Sequence, residues 1–237
     1  MPQENRPPKE AQNASRRNTQ HTTHNTVYLL SPTPAEGAEH LPMIEFKTIP
    51  QPIDFTPYDG LIFTSKQGVI ALDEISGGSW KNTPAAAIGK MTAQEIQKRG
   101  GEVVYIASKA YGDILSRELS VRFKSFRWLY PRPKVVASKI ASDLRKAGVD
   151  VDEKVIYETS CKAYDKEARP EEGAILIFTS PSIVDCFFKQ FGWSGSYTAV
   201  AIGKKTAAAF PEGVECKISP SQSIPDTVAF ARSLATA

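Results

Sequence analysis

The chain has few groups able to do chemistry, and its histidines are not among them. His21, His24 and His40 all precede Leu41, leaving residues 41–237 without imidazole. A Ser-His-Asp or Cys-His apparatus, a histidine zinc site and a two-histidine iron site each need imidazole in the folded core, so none is expected and no metal is invoked. Proton transfer falls to Tyr, Lys, Asp or Glu. Tyr157, in Val155-Ile156-Tyr157-Glu158-Thr159, falls where the chain is expected to return between domains and is one candidate phenol. Its ring could pack against neighbouring strands, or its hydroxyl, with an unperturbed pKa of about 10, could give a proton to a leaving oxygen. The cysteines Cys161, Cys186 and Cys216 are odd in number and widely spaced. They read as neither a disulfide framework nor a Cys-x-x-Cys metal or redox site, which fits a reducing cytoplasm.

The remaining candidates come in pairs, because the chain contains itself twice. Leu61-Ile62-Phe63-Thr64-Ser65 recurs as Leu176-Ile177-Phe178-Thr179-Ser180, at an offset of 115. Ala87-Ile88-Gly89-Lys90-Met91-Thr92-Ala93 recurs as Ala201-Ile202-Gly203-Lys204-Lys205-Thr206-Ala207, at an offset of 114. Two matches in the same order at nearly one offset indicate a duplicated unit.

Each unit must supply elements that hold these turns. Asp59–Thr64 and Ala174–Thr179 are continuous apolar runs of strand length, the pattern of a parallel strand buried on both faces. Segments 66–75, 92–99, 109–119, 135–147, 183–191 and 227–234 carry helical apolar spacing. Strands alternating with helices predict an α/β fold of two doubly wound, flavodoxin-like parallel sheets. The second unit has too few strands of its own. Val27–Ser31 and Ile44–Lys47 are therefore expected to join it, so that the chain crosses between domains twice. The expected layout is a tail at 1–25, one discontinuous domain at 26–48 plus 167–237, and a second at 53–157. The crossings, 49–52 and 158–166, would pair as a short ladder flanking an inter-domain cleft.

Composition limits the partners. No apolar run approaches the roughly 18 to 20 residues of a membrane span. Net charge is +3, of which the first 24 residues carry +2 through Arg6, Lys9, Arg16 and Arg17 against Glu4 and Glu10. That tail has no aromatic interleaving and no apolar core of a secretion signal, so neither nucleic-acid binding nor export is expected. His21-x-x-His24 within it reads as solvated side chains. No long exposed apolar face stands out, which favours a monomer.

Loops at the carboxyl ends of parallel strands form ligand sites, and both repeated motifs fall there. Thr64, Ser65, Ser180 and Ser182 offer hydroxyls at strand-to-helix turns. Gly89, Lys90, Thr92, Gly203 and Thr206 form the glycine turns, where threonine is expected to open a helix whose N–H groups favour carboxylate or phosphate. Lys66, Lys90, Lys204, Arg132 and Lys134 add positive charge on or near these turns. Neither Gly-x-x-x-x-Gly-Lys-Ser/Thr nor Gly-x-Gly-x-x-Gly is present, which disfavours a nucleotide. Four such turns facing one cleft suit a ligand with several negative groups.

The paired Phe-Thr-Ser turns, the paired Ile-Gly-x-x-Thr-Ala turns, the Val-x-Tyr-x-Thr segment 155–159 and Ser180-Pro181-Ser182, in this order, resemble the uroporphyrinogen-III synthase family from about Val27 onward. The resemblance implies two α/β domains joined by a two-stranded ladder, with the N-terminal strand in the C-terminal domain. It implies a cofactor-free lyase that takes hydroxymethylbilane, a linear tetrapyrrole with eight carboxylates, to uroporphyrinogen III. The substrate would be received from the upstream deaminase, in the cytoplasm. The terminal hydroxyl leaves as water, the last ring is attacked at its substituted carbon, and a spiro intermediate rearranges so that this ring is inverted. By the same resemblance Tyr157 stands near the leaving hydroxyl, while Ser65, Thr92, Ser180 and Thr206 bind carboxylates. The segment Tyr130-Pro131-Arg132-Pro133-Lys134, read as a loop, departs from the family, where glycine is commoner. Proline has no N–H to offer there, leaving Arg132 or Lys134 to act by charge. From another class, a non-catalytic two-domain module that traps a small polyanion would share the turns without needing Tyr157.

Overall fold

The computed structural model describes residues 25–136 and 138–235; the tail, with His21 and His24, lies outside the described residues. In chain order the elements are β1 (Val27–Leu29), β2 (Glu39–His40), β3 (Ile44–Thr48), β4 (Gly60–Phe63), α1 (Lys66–Ser76), β5 (Ala85–Ala87), α2 (Lys90–Lys98) and β6 (Val103–Ile106). There follow α3 (Gly112–Arg122), β7 (Arg127–Pro133), α4 (Ile140–Lys146), β8 (Asp150–Cys161), β9 (Ile175–Phe178), α5 (Pro181–Phe191), β10 (Thr198–Ala201), α6 (Lys204–Ala207), β11 (Cys216–Ile218) and α7 (Ile224–Ala235).

The duplication is visible in the topology. One sheet has the order β11-β10-β9-β1-β2 and the other β3-β8-β7-β4-β5-β6. Setting β9, β10 and β11 against β4, β5 and β6 makes β1 the counterpart of β7 and β2 that of β8. The two sheets are thus one parallel design, with the second copy drawing two strands from upstream. All pairs are parallel except β3 with β8. Every residue of β4 and β9 is buried, since helices cover both faces of each sheet. Leu61, Phe63, Leu72 and Trp80 pack on one face of the six-stranded sheet, and Ile62, Leu115, Trp128 and Leu144 on the other. Phe178 and Phe187 fall on one face of the five-stranded sheet, with Ile177 and Val228 opposite.

Three expectations are corrected. Val27–Leu29 does join the second copy, but its neighbour there is Glu39–His40. Ile44–Thr48, expected in the same sheet, instead pairs antiparallel with Tyr157–Cys161 in the six-stranded one. Residues 130–133 are strand rather than loop. β4 pairs with β7 only as far as Leu129, so Pro131 and Pro133 fall where β7 has β8 alone beside it and their missing N–H groups are tolerated. Finally, Cys161 and Cys186 are joined as a disulfide, against the reading of free thiols. Spacing along a chain carries no information on a pairing made by tertiary contact.

Candidate functional site

The end of β4 is the best organised of the four turns. Ser65 is the N-cap of α1, its extended backbone letting Oγ accept from the Gly68 N–H at 3.0 Å. The same oxygen lies 2.9 Å from the Tyr157 hydroxyl. One residue earlier, Thr64 Oγ1 is 3.2 Å from the Tyr130 hydroxyl. β7 and β8 therefore send one phenol each to a strand tip whose hydroxyls sit side by side.

Tyr157 does both things the sequence allowed. Its ring packs in the core with Leu61, Phe63 and Ile156 and meets Phe46 edge-on at 6.1 Å, while its hydroxyl emerges at Ser65. Only 4% of the residue is exposed. Burial pushes its pKa above 10.0, outweighing the hydrogen bond from Ser65 that lowers it. Tyr130 is raised by burial in the same way. Both phenols are therefore protonated across the neutral range and can donate.

The second copy keeps the letters but not the contacts. Ser180 caps α5 by position, with Pro181 at the first helical residue, yet its hydroxyl makes no bond to the helix and lies 3.0 Å from Ser182 Oγ. Either hydroxyl can turn to a ligand by giving up this mutual bond. Replacing Ser65 with alanine is accordingly expected to lower stability by about 1 kcal/mol, and Ser180→Ala by much less. Urea melts of the two variants check this.

The glycine turns also differ from expectation in detail. Helices α2 and α6 open at Lys90 and Lys204, so Thr92 and Thr206 are third in their helices. Their N–H groups already donate to Gly89 O at 3.1 Å and Gly203 O at 3.0 Å. Both threonines are buried. Gly89 and Gly203 are extended; what they provide is room, since a Cβ would stand 3.3 Å from Ala110 Cβ and 3.1 Å from Gln222 Nε2. A hollow of about 270 Å³ opens beside the second turn, lined by Thr179, Ile202, Gly203, Lys205, Thr206 and Gln222. Lys205 and Gln222 were not among the candidates. The repeat itself flagged Lys205, which replaces Met91 between otherwise matching residues, whereas nothing in the sequence singles out Gln222.

The charges divide. Lys66, Lys90 and Lys204 are exposed and form no ion pair among the described residues. Arg132 is engaged: Nε is 2.7 Å from Glu153 Oε1, and Nη1 donates to Pro133 O at 2.9 Å. Lys134 pairs with Glu158 at 3.0 Å, holding that carboxyl below its ordinary range. The structure therefore keeps the positive charge of residues 132–134 partly neutralised.

Together these features define a duplicated, doubly wound α/β protein whose strand-end turns present hydroxyls and a proton-holding phenol. The model of the family described as "Uroporphyrinogen-III synthase HemD" matches residues 35–228. The chain belongs to the uroporphyrinogen-III synthase family, and its activity is that of a cofactor-free cyclising lyase of haem biosynthesis. It is similar to the uroporphyrinogen-III synthetase of Helicobacter pylori at 28% identity and a TM-score of 0.76, over 89% of this chain and 99% of that one. A mutant uroporphyrinogen III synthase of Thermus thermophilus shares the fold at 16% identity and a TM-score of 0.57, over 90% and 100% of the two chains. No curated protein matches. Among the described residues no helix is long and apolar enough to cross a membrane.

Proposed function

We propose that hydroxymethylbilane is closed to uroporphyrinogen III at the carboxyl ends of β4 and β9, with Tyr157 as the proton donor to the departing hydroxyl. The observation that carries this assignment is the 2.9 Å contact of Tyr157 with Ser65 at the mouth of the sheet. Ser65 accepts from Gly68 N–H and can donate its own proton to the phenol oxygen, which leaves the Tyr157 proton for the departing hydroxyl. Loss of water gives an azafulvene, and the substituted carbon of the last ring attacks it to form a spiro intermediate. The bond from that carbon to the adjoining methylene then breaks, giving a second azafulvene, and the free α-carbon of the last ring closes on it with the ring inverted. The proton lost from the last ring on rearomatisation balances the one given to the leaving hydroxyl. Pyrrole nitrogen already favours expulsion of the hydroxyl, so holding one conformer is the larger part of the task.

Carboxylates of the substrate are assigned to Thr92, Ser180, Ser182, Thr206 and the hollow beside Gly203, with Lys66, Lys90 and Lys205 supplying attraction. The two sheets act as two lobes, joined by the β3–β8 ladder, that face each other across the bound tetrapyrrole. A monomer in the cytoplasm, taking its unstable substrate directly from the upstream deaminase, fits this assignment. The polyanion-binding module is not favoured, because a buried phenol held at a strand tip serves no purpose in it.

The test couples the protein to a deaminase acting on porphobilinogen and separates the oxidised uroporphyrin isomers. Type III should form at the expense of type I; type I alone, from folded protein, overturns the assignment. In the same assay Lys205→Ala is expected to raise KM severalfold with kcat little changed, as befits a group that binds ground and transition states alike.

A further inference from the structure

An odd number of cysteines conceals a pair. Cys161 ends β8, opposite Ile44 in the ladder, and Cys186 lies in the middle of α5. The two are bonded with their Cα atoms 5.3 Å apart, a separation at which the bond needs no backbone movement. Cys161 is exposed, whereas Cys186 is 4% exposed and packs with Met43, Ile44 and Phe187. The bond joins the two segments that the proposed chemistry uses. Tyr157 precedes Cys161 by four residues on β8, and Ser182 precedes Cys186 by four on α5, on the same helix face.

We infer that Cys161 and Cys186 are a reversible thiol–disulfide couple whose oxidised form restrains β8 against α5 and slows ring closure. The effect on rate rests on the synthase reading above; the covalent chemistry and the restraint do not. The oxidant is a small disulfide of the glutathione class. The exposed Cys161 thiolate attacks one of its sulfurs, giving a mixed disulfide and releasing one thiolate. The Cys186 thiolate then attacks the Cys161 sulfur and releases the second. Two protein thiols are oxidised, the small disulfide is reduced to two thiols, and the protons of the protein thiols pass through solvent to the released thiolates. A dithiol reverses the sequence. In a glutathione-buffered compartment an exposed bond of this kind is one that responds to redox state rather than a permanent staple. Asp185 lies near enough to form a three-donor cluster with both sulfurs, but its carboxylate is 2.6 Å from Lys189 Nζ, and sulfurs bonded to each other are not metal ligands.

The restraint is mechanical. Closing residues 162–185 into a covalent loop removes freedom from the strand-to-helix path at the point where the ladder meets the five-stranded sheet. Closure around a long flexible substrate needs that freedom.

The full chain is treated with glutathione disulfide or with dithiothreitol and digested without reduction. A Cys161–Cys186-linked peptide is expected only in the oxidised sample. Hydrogen exchange over residues 158–166 and α5 should be slower there. Type III formation should fall at least about threefold on oxidation and recover with dithiol. Cys161→Ser, at an exposed position, should keep the reduced rate under both treatments, and Cys186→Ala, which removes the other thiol, should do the same. Alkylation of both thiols after the disulfide treatment overturns the inference, as does a bond that forms without changing the type III rate. If neither form makes type III, the synthase reading fails, and the couple stands or falls on the linked peptide and the exchange. A link without protection overturns the restraint.

Discussion

Tyr157→Phe is expected to lower the rate of type III formation by about one to two orders of magnitude, with type I rising as unconsumed hydroxymethylbilane closes by itself. The substitution removes one oxygen and leaves the ring in its core position against Phe46 and Ile156. Ser65 keeps its bond from Gly68, so the lost hydrogen bond costs only about 1 kcal/mol of stability. A large drop in rate with a nearly unchanged melt would place the proton at the phenol. Unchanged isomer ratios in the coupled assay would remove Tyr157 from the mechanism.

The same residue has a signature in alkali. Its folded pKa lies above 10.0 because burial favours the neutral phenol. The folded protein therefore holds this proton more tightly than the unfolded chain. The resulting stability is intact below the unfolded value and is lost as pH rises through the folded one. Wild type should accordingly lose stability more steeply than Tyr157→Phe above about pH 10, and the two should run parallel near neutrality. Denaturant melts on either side of that value read the difference.

What the sequence disclosed follows from where information is local. The apolar runs ending in Thr64-Ser65 and Thr179-Ser180, and the glycine turns, are short stretches that specify strand, turn and helix start by themselves, and their repetition announced two copies of one sheet. The donation of Val27–Leu29 to the second copy was legible by counting strands. Its neighbour Glu39–His40 was not, being two exposed residues with no apolar pattern. Ile44–Thr48 has one buried residue, so its pattern could not say which sheet it joins. At the site, residue types were readable and contacts were not: Ser65 and Tyr157 are 92 positions apart, and only the sheet order β8-β7-β4, which sets β8 one strand away from β4, explains their meeting. The identical letters at Ser65 and Ser180 even suggested equal roles, but the one hydroxyl meets Tyr157 and Gly68 N–H and the other meets Ser182 Oγ. Arg132 looked free because residues 130–134 read as a loop, and strand pairing with β8 is what brings Glu153 to it.

Gly60→Ala should destabilise the protein by about 3 kcal/mol, lowering the melting temperature by roughly 10 °C. Gly60 opens β4 opposite Trp128, and a Cβ there would stand 2.4 Å from Cζ3 of the indole and 2.8 Å from Cε3. The indole cannot swing away cheaply: it is fully buried and flanked by Phe123 and Phe126, with ring centroids at 5.7 and 5.2 Å. β4 must therefore shift, and β4 leads directly into Thr64-Ser65, so the displacement is passed to the contact with Tyr157. Gly77→Ala is the matched control. It sits at a φ of 57° with nothing within 4 Å of a Cβ, so it costs about 1 kcal/mol through backbone strain alone and leaves the strand where it is. Measured well below both melting temperatures, Gly60→Ala should lose type III activity and Gly77→Ala should not. If the two variants melt together and turn over alike, the indole yields more easily than its surroundings imply, and the position of Ser65 is not set by the packing beneath β4.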